Sequence, residues 1–476
     1  MNIFGEIIYY AFTALYIYTA IVVLTAILLE NRNPVKTIGW IMIMILLPIV
    51  GIILYIFFGQ DLRRKKIIAN KLSYPAISSK YIYNIQKLNE TNIPIRFQKL
   101  AYLLNSNGQS PLSSNNKIDV YTTGKDAFKS LYKDIKNAKE HIHIEFYIIE
   151  NDSVGNRFRE LLEQKAREGV RVRVIYDYLG GWKLPISWRT SLQNAGVYIH
   201  PFLAADNIFR FSLLNYRNHR KLVIIDGRIA YTGGMNLANR YIFGNHLGLW
   251  RDTFIKVQGP AVHSMQYSFL TDWSFVDGKI IANQKYYPEL QLFENNFTQI
   301  VTSGPDSDWK NIMQGIVSLI SNAQKEILIH TPYYMPPEAV MTALETAALS
   351  GVDVNIMIPE RNDSKIVAAA GRSYIEGLLR AGVNVYYYKY NFLHSKAIVV
   401  DRYISVIGTA NMDNRSYEQN FEIAAFIYDE KTALKLVEGF KKDIESSRLL
   451  NINLWRHRPK YKHYIESLAR LFSPLL

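Results

Sequence analysis

Two stretches near the start of the chain, 7–29 and 38–58, contain no charged residue. Wound as helices, both are long enough to cross a hydrocarbon core of about 30 Å. The pattern predicts a two-helix transmembrane hairpin in residues 1–60, joined by Asn31-Arg32-Asn33-Pro34-Val35-Lys36. A cleaved leader wants a basic start, and Met1-Asn2-Ile3-Phe4-Gly5-Glu6 has none. Residues 61–115 are mixed and polar, and read as a basic juxtamembrane linker with some helix.

From residue 116 short apolar runs alternate with helical periods. A helix is expected over 127–138, a strand over 141–149, a helix around 158–167 and a strand over 170–176. The same order returns at 312–322, 326–330, 339–347 and 352–358. Local sequence repeats too: Gly169-Val170-Arg171-Val172 matches Gly351-Val352-Asp353-Val354, and Ala195-Gly196-Val197 matches Ala381-Gly382-Val383. The expected fold class is α/β, with two pseudo-symmetric lobes, 116–290 and 291–450, each with a substantially parallel sheet. The tail, 451–476, sets Tyr461, Tyr464, Ile465, Leu468, Leu471, Phe472 and Leu475 on one helical face. Lys462, His463, Glu466 and Arg470 take the other. Such a helix either docks on the protein's own core or lies in a membrane interface.

Charge sharpens this outline. The net charge is +14, yet in residues 1–60 Glu6 and Glu30 cancel Arg32 and Lys36, so the excess lies in the rest of the chain. A basic body attracts phosphates, whether of nucleic acid or of an anionic bilayer. The apolar start favours the bilayer. Arg63-Arg64-Lys65-Lys66 directly follows the second stretch and, by the positive-inside rule, places the catalytic part in the cytoplasm, at the cell membrane. Cysteine is absent, so there is neither a disulfide nor a thiolate metal site.

The candidate chemistry is a repeated constellation. His219-x-Lys221 is followed by Asp226 and Gly233-Gly234-x-Asn236; His394-x-Lys396 is followed by Asp401 and Gly408-Thr409-x-Asn411. Two copies imply one active site built from both lobes. Each copy reads as a β-hairpin turning at Asp226-Gly227 or Asp401-Arg402. His and Lys, two apart on a strand, face the same side, and Asn comes close on the return strand. The glycines are expected to let a ligand approach the backbone. Seven extended residues span about 23 Å, so Asp226 and Asp401 belong at the turns, stabilising them or making ion pairs. Asp252 and Glu422, on the strand after each Asn, are candidates to orient the histidine of their own motif.

Two His, two Lys and two Asn in one pocket suit phosphoryl chemistry. Lys221, Lys396, Asn236 and Asn411 would bind phosphate oxygens. One neutral His would attack phosphorus and form a phosphohistidine, while the other gives and takes the proton. The lysines supply the positive charge, so no metal or other cofactor is called for.

These motifs are identified as the His-x-Lys-x4-Asp signature of the phospholipase D superfamily. Glu30-Asn31-Arg32-Asn33-Pro34, Leu47-Pro48-Ile49-Val50-Gly51, 215–221, Thr331-Pro332-Tyr333-Tyr334-Met335-Pro336 and Asn411-x-Asp413-x-Arg415-Ser416 further resemble bacterial cardiolipin synthases. The resemblance implies transfer of a phosphatidyl group between two molecules of phosphatidylglycerol, with release of glycerol. It also implies that His219 is the nucleophile and His394 the acid and base. Arg217, Arg220 and Arg415 flank the motifs and would hold the second lipid phosphate or pair with Asp226 and Asp401. Glu145, Tyr147, Tyr333 and Tyr334 end strands at a shared face, where they bind the acceptor or pack in the core. The competing readings are a phospholipase D-type hydrolase, a transferase with another alcohol acceptor, and a nucleic-acid phosphodiesterase. For the last of these the sequence carries no recognition motif, and no nucleic-acid partner is expected.

Overall fold

The structure, a computed structural model, describes residues 3–29, 34–55, 93–204, 215–281, 283–293 and 296–474. It divides into two compact units, one N-terminal and one comprising the rest of the described chain apart from Asn215.

In the N-terminal unit, Ile3–Leu29 is one helix of 27 residues, about 40 Å long. Among the described residues it is the one helix long and apolar enough to cross a membrane. The second apolar stretch departs from the expectation of a single span. It forms Pro34–Leu46, 13 residues, and then Pro48–Leu54, 7 residues. Proline lacks an amide hydrogen and disfavours helical backbone in the residue before it. Leu47 accordingly leaves the helix, with φ −131° and ψ 71°. Val23 and Ile27 pack with Met44, Ile52 and Tyr55, which ties the three helices together. Residues 56–60, and the basic run Arg63 to Lys66, lie outside the described residues.

The larger unit holds two sheets of matching design. The first runs, from edge to edge, Lys117–Thr123, Trp250–Gln258, Ile229–Gly233, Leu222–Ile225, His141–Phe146, Arg171–Asp177, Tyr198–Phe202. The second runs Phe297–Ser303, Glu422–Tyr428, Ile404–Gly408, Ala397–Val400, Glu326–His330, Asp353–Pro359, Asn384–Tyr388, with Ser447–Leu449 added at the edge. Both are mixed rather than substantially parallel. The last three strands shared by the pattern run parallel, and each motif hairpin inserts antiparallel beside them. A connection of three residues permits only an antiparallel partner, so the hairpins impose this mixture.

Helices Gly124–Lys136, Ser153–Arg167 and Ile186–Asn194 bury Phe128, Leu131, Phe158, Leu162 and Leu192 against Ile142, Ile144, Val172 and Val174 of the first sheet. On the second sheet Asn311–Ser321 and Glu338–Leu349 do the same against Ile327, Ile329, Val354 and Ile356. Ile95–Gly108, within the stretch expected to be a linker, joins this core through Phe97, Leu100, Ala101 and Leu104. Residues 61–92 of that stretch lie outside the described residues.

Candidate active site

Each hairpin closes through three residues rather than two. Ile225 pairs with Ile229, and Val400 with Ile404, which shifts the register by one from the two-residue turn expected. Asp226 and Asp401 adopt left-handed backbone there, with φ 54° and 51°. Their carboxylates reach sideways to the start of the neighbouring strand. Asp226 accepts from the amides of Lys139, Glu140 and His141 at 2.7–2.9 Å. Asp401 accepts from Gln324, Lys325 and Glu326, and from Arg96 at 2.7 Å. These aspartates satisfy backbone donors at a strand entrance, at the far end of the hairpin from His and Lys.

The open ends of the hairpins converge. His219, Lys221, His394 and Lys396 are all buried, at 8, 0, 6 and 4 % exposure. Lys221 Nζ donates to the carbonyl of His219 at 2.7 Å, and Lys396 Nζ to that of His394 at 2.5 Å. The carboxylates do not serve their own motifs. Glu422, from the second lobe, accepts from His219 Nδ1 at 2.9 and 3.0 Å, and Asp252, from the first, meets His394 Nδ1 at 2.6 Å. The expected pairing within each motif is therefore corrected: the clamp is crossed. Main-chain bonds between the lobes produce it. The His219 amide donates to the Phe421 carbonyl at 2.9 Å, and the His394 amide to that of Arg251 at 2.8 Å. Each histidine is thus set beside the residue that precedes the other lobe's carboxylate.

The motif glycines also serve this packing. A Cβ on Gly234 would lie 2.1 Å from Asp252 Oδ1, and one on Gly408 2.5 Å from the Ile423 carbonyl. Close approach of the neighbouring strand, not of a ligand, is what these positions admit. The second copy has Thr409 where the first has Gly234, and its hydroxyl donates to Glu422. The copies therefore differ electrostatically. Burial alone would raise Glu422, but His219, Lys221 and Thr409 together hold it below the usual carboxylate range. Asp252 is pushed up to about 7 by burial, only partly opposed by Lys396 and the Thr253 amide. Burial lowers His219 to about 4, against the pull of Glu422. Burial also lowers His394, as do Lys396 and Lys221. Burial brings Lys221 down to about 7 and Lys396 to about 8. Without a bound anion both imidazoles are neutral at neutral pH, and the lysines are poised to titrate.

The remaining candidates divide. The Asn236 side chain accepts from the Ile148 amide at 3.1 Å and donates to the Tyr241 hydroxyl at 2.8 Å. Asn411 is buried, and its Oδ1 is without a hydrogen-bond partner among the described residues. Arg217 pairs with Asp177 at 3.1 Å, and Arg220 with Asp272; neither meets Asp226 or Asp401. Glu145 accepts from Asn218 at 2.5 Å and is raised by burial and by Asp272. These contacts form a buried polar network around the 217–220 segment that carries His219. Tyr147 stacks edge-on to His219, with ring centroids 4.9 Å apart; burial and Asp177 raise its phenol, against Arg415 and Arg217. Arg415, half-buried, is thereby placed close to Tyr147. Tyr333 donates to Asp363 at 2.9 Å, and Tyr334 is packed into the second lobe's core.

Sequence reasoning missed Asp177, Asp272, Tyr241 and Trp250, and read Thr409 only as a motif position. Trp250 and Tyr241 wall His394, at 5.0 and 5.6 Å between centroids. A signal existed for two of them. Asp177 ends the apolar run Val174-Ile175-Tyr176, and Asp272 sits between Phe269-Leu270 and Trp273, where a lone acid needs a buried partner.

The family model for the cardiolipin synthase, phospholipase D-like domain matches residues 131–273 and 316–444, which contain both halves of this site. The chain belongs to the cardiolipin synthase family. A phospholipase D-nuclease N-terminal model matches 14–60. A cardiolipin synthase of Halalkalibacterium halodurans is 40% identical over 98% of this chain and 94% of its own length. The major cardiolipin synthase of Bacillus subtilis is 41% identical over 94% of this chain and 95% of its own. Among solved structures, the phosphatidylserine synthase of Haemophilus influenzae aligns with a TM-score of 0.62, covering 79% of this chain and all of that one, at 14% identity. That likeness shows the fold alone. The duplicated, mixed-sheet lobes are the fold of this cardiolipin synthase family member.

Proposed function

We propose that the chain is a cardiolipin synthase that passes a phosphatidyl group from one phosphatidylglycerol to another through a phosphohistidine. The observation carrying this reading is the crossed clamp. It orients one imidazole from each lobe, with a lysine beside each, in a single buried site. His219 attacks phosphorus while the P–O bond to glycerol breaks, and protonated His394 gives its proton to the departing glycerol oxygen. The second phosphatidylglycerol then loses a hydroxyl proton to His394. Its oxygen attacks phosphorus, the P–N bond breaks, and His394 is recharged for the next cycle.

The carboxylates favour this division of labour. Firmly anionic Glu422 holds the proton of His219 on Nδ1 and leaves Nε2 free to attack. His394 and Asp252 face each other at 2.6 Å, with Asp252 near 7, so the pair holds a proton close to working pH. Lys221, Lys396 and Asn411 supply donors for the phosphate oxygens. Arg415 and Tyr147, at the His219 side, take the acceptor lipid. Asn236 acts through Tyr241 and Ile148 rather than on phosphate.

Ile3–Leu29 anchors the enzyme in the bilayer, and the broken second segment completes a return crossing. Proline breaks are tolerated there when neighbouring helices pack closely. The run Arg63 to Lys66 places the lobes in the cytoplasm.

Product identification tests the reading. Purified enzyme with phosphatidylglycerol vesicles is expected to yield cardiolipin and glycerol in equal amounts. Phosphatidic acid as the main product would assign a hydrolase instead. A second expectation concerns pH. Tungstate keeps its charge above pH 6, so its inhibition reports the titration of the site's own groups, the two lysines and the Asp252–His394 pair. The folded pKa values of the lysines are lowered, so the cationic forms are lost as pH rises through about 7 and 8. Inhibition should weaken by up to about tenfold per pH unit above 8 for each lysine that binds the anion. A flat profile from pH 6.5 to 9 would remove the lysines from phosphate binding.

A further inference from the structure

The helix Lys460–Arg470 is docked with its apolar side outward. Its inward positions are Glu466 and Ala469, followed by Ser473, at 4, 9 and 1 % exposure. Glu466 is fixed by Arg458 at 2.9 Å and Arg372 at 3.1 Å, and Ala469 packs on Ala369, Ala370 and Met335. Tyr461, Tyr464, Ile465, Leu468, Leu471 and Phe472 repeat at helical spacing on the opposite side, and all are exposed, Tyr464 and Leu471 by more than 70 %. A helix seeking the protein's own core would be turned the other way, because burying such a face is the main gain from packing. The ion pairs of Glu466 hold it in the unfavourable register instead.

We propose that this face is an interfacial anchor that seats the catalytic unit on an anionic bilayer. Charge selects that occupant. Lys460, Lys462 and Arg470 are exposed around the apolar stripe, and tyrosines with basic flanks suit the headgroup boundary. Position agrees with it. The Ala369–Ala469 contact joins Met335 and packs against Tyr333, and the carbonyl of Pro474 accepts from Gln419, which follows the short helix Asn414–Glu418 beyond Asn411. The anchor is therefore built onto the segment bearing half of the active site. The proposal rests on the lipid-substrate reading only for this last point.

The chain has no cysteine, so single substitutions label cleanly. Tyr464→Cys, Leu468→Cys and, as a control on another exposed helix, Glu438→Cys would carry an environment-sensitive fluorophore. The full chain is then reconstituted in phosphatidylglycerol vesicles. Quenching by acyl-chain spin-labelled lipid is expected at 464 and 468 and not at 438. Quenching at 464 and 468 only by aqueous iodide overturns the proposal. So does protection that depends on protein density, which would assign the face to a second copy. A Leu468→Asp/Leu471→Asp variant with an unchanged melting midpoint should lose about tenfold in activity on vesicles and keep its turnover of monomeric short-chain phosphatidylglycerol. Equal loss on both substrates also overturns it. Wild-type enzyme making no cardiolipin would refute the proposed reaction and leave the depth measurement standing.

Discussion

Replacing His219 with alanine should lower cardiolipin formation by at least about four orders of magnitude, because the attacking atom itself is removed. Loss of rate alone does not separate a nucleophile from a proton carrier. Trapping does. With a phosphatidyl ester of p-nitrophenol, which departs without a proton, His394→Ala should still form the phosphohistidine and then stall, because no base activates the acceptor. A mass increase of one phosphatidyl group is expected on the peptide containing residue 219. Its appearance on the peptide containing residue 394, in His219→Ala, would exchange the two roles. Circular dichroism of both variants checks that the lobes remain folded.

The crossed clamp makes the second large prediction. Glu422→Gln keeps the shape of the side chain but no longer fixes the His219 tautomer, and should cost about 10²–10⁴ in kcat with little change in KM. Because Glu422 serves the other lobe's histidine, the lost step is formation of the phosphohistidine, seen as loss of the p-nitrophenol burst. Asp252→Asn acts on His394, so the burst should survive and the subsequent transfer should slow. If Glu422→Gln instead preserved the burst and Asp252→Asn abolished it, then with the 2.9 and 2.6 Å contacts in place His394 would be the nucleophile and His219 the proton carrier.

Much of this arrangement was legible in the chain because it is local. Short apolar runs between helical periods mark the strands. The spacing of His219 to Lys221 and His394 to Lys396 puts each pair on one side of a strand, and the seven-residue offset removes Asp226 and Asp401 from it. What was not legible depends on contacts between distant segments. Asp252 and Glu422 were identifiable as partners for imidazoles, but which serves which is decided by main-chain bonds from 219 to 421 and from 394 to 251. Arg217 and Arg220 looked like phosphate ligands because their carboxylates, Asp177 and Asp272, lie on other elements. The three-residue hairpin loops shifted the register because Asp226 and Asp401 adopt left-handed backbone and bond to the next strand. In the last helix, periodicity defines two faces without saying which points inward; the ion pairs of Glu466 decide that.

The crossing has a consequence for how such a site can specialise. Contacts in which residue i meets j and j meets i are those of a closed two-fold interface. If the halves were two identical chains, every substitution would strike both at once, and both imidazoles would keep the same surroundings. Carried in one chain, the halves can diverge. Asp252 facing Gly234 and Glu422 facing Thr409 are such a divergence, and they leave otherwise equivalent carboxylates with unequal proton affinities, Asp252 pushed up to about 7 and Glu422 held low. One polypeptide can thereby fix in its own sequence which half makes the bond and which carries the proton, a choice that a symmetric pair leaves to the orientation of the bound substrate.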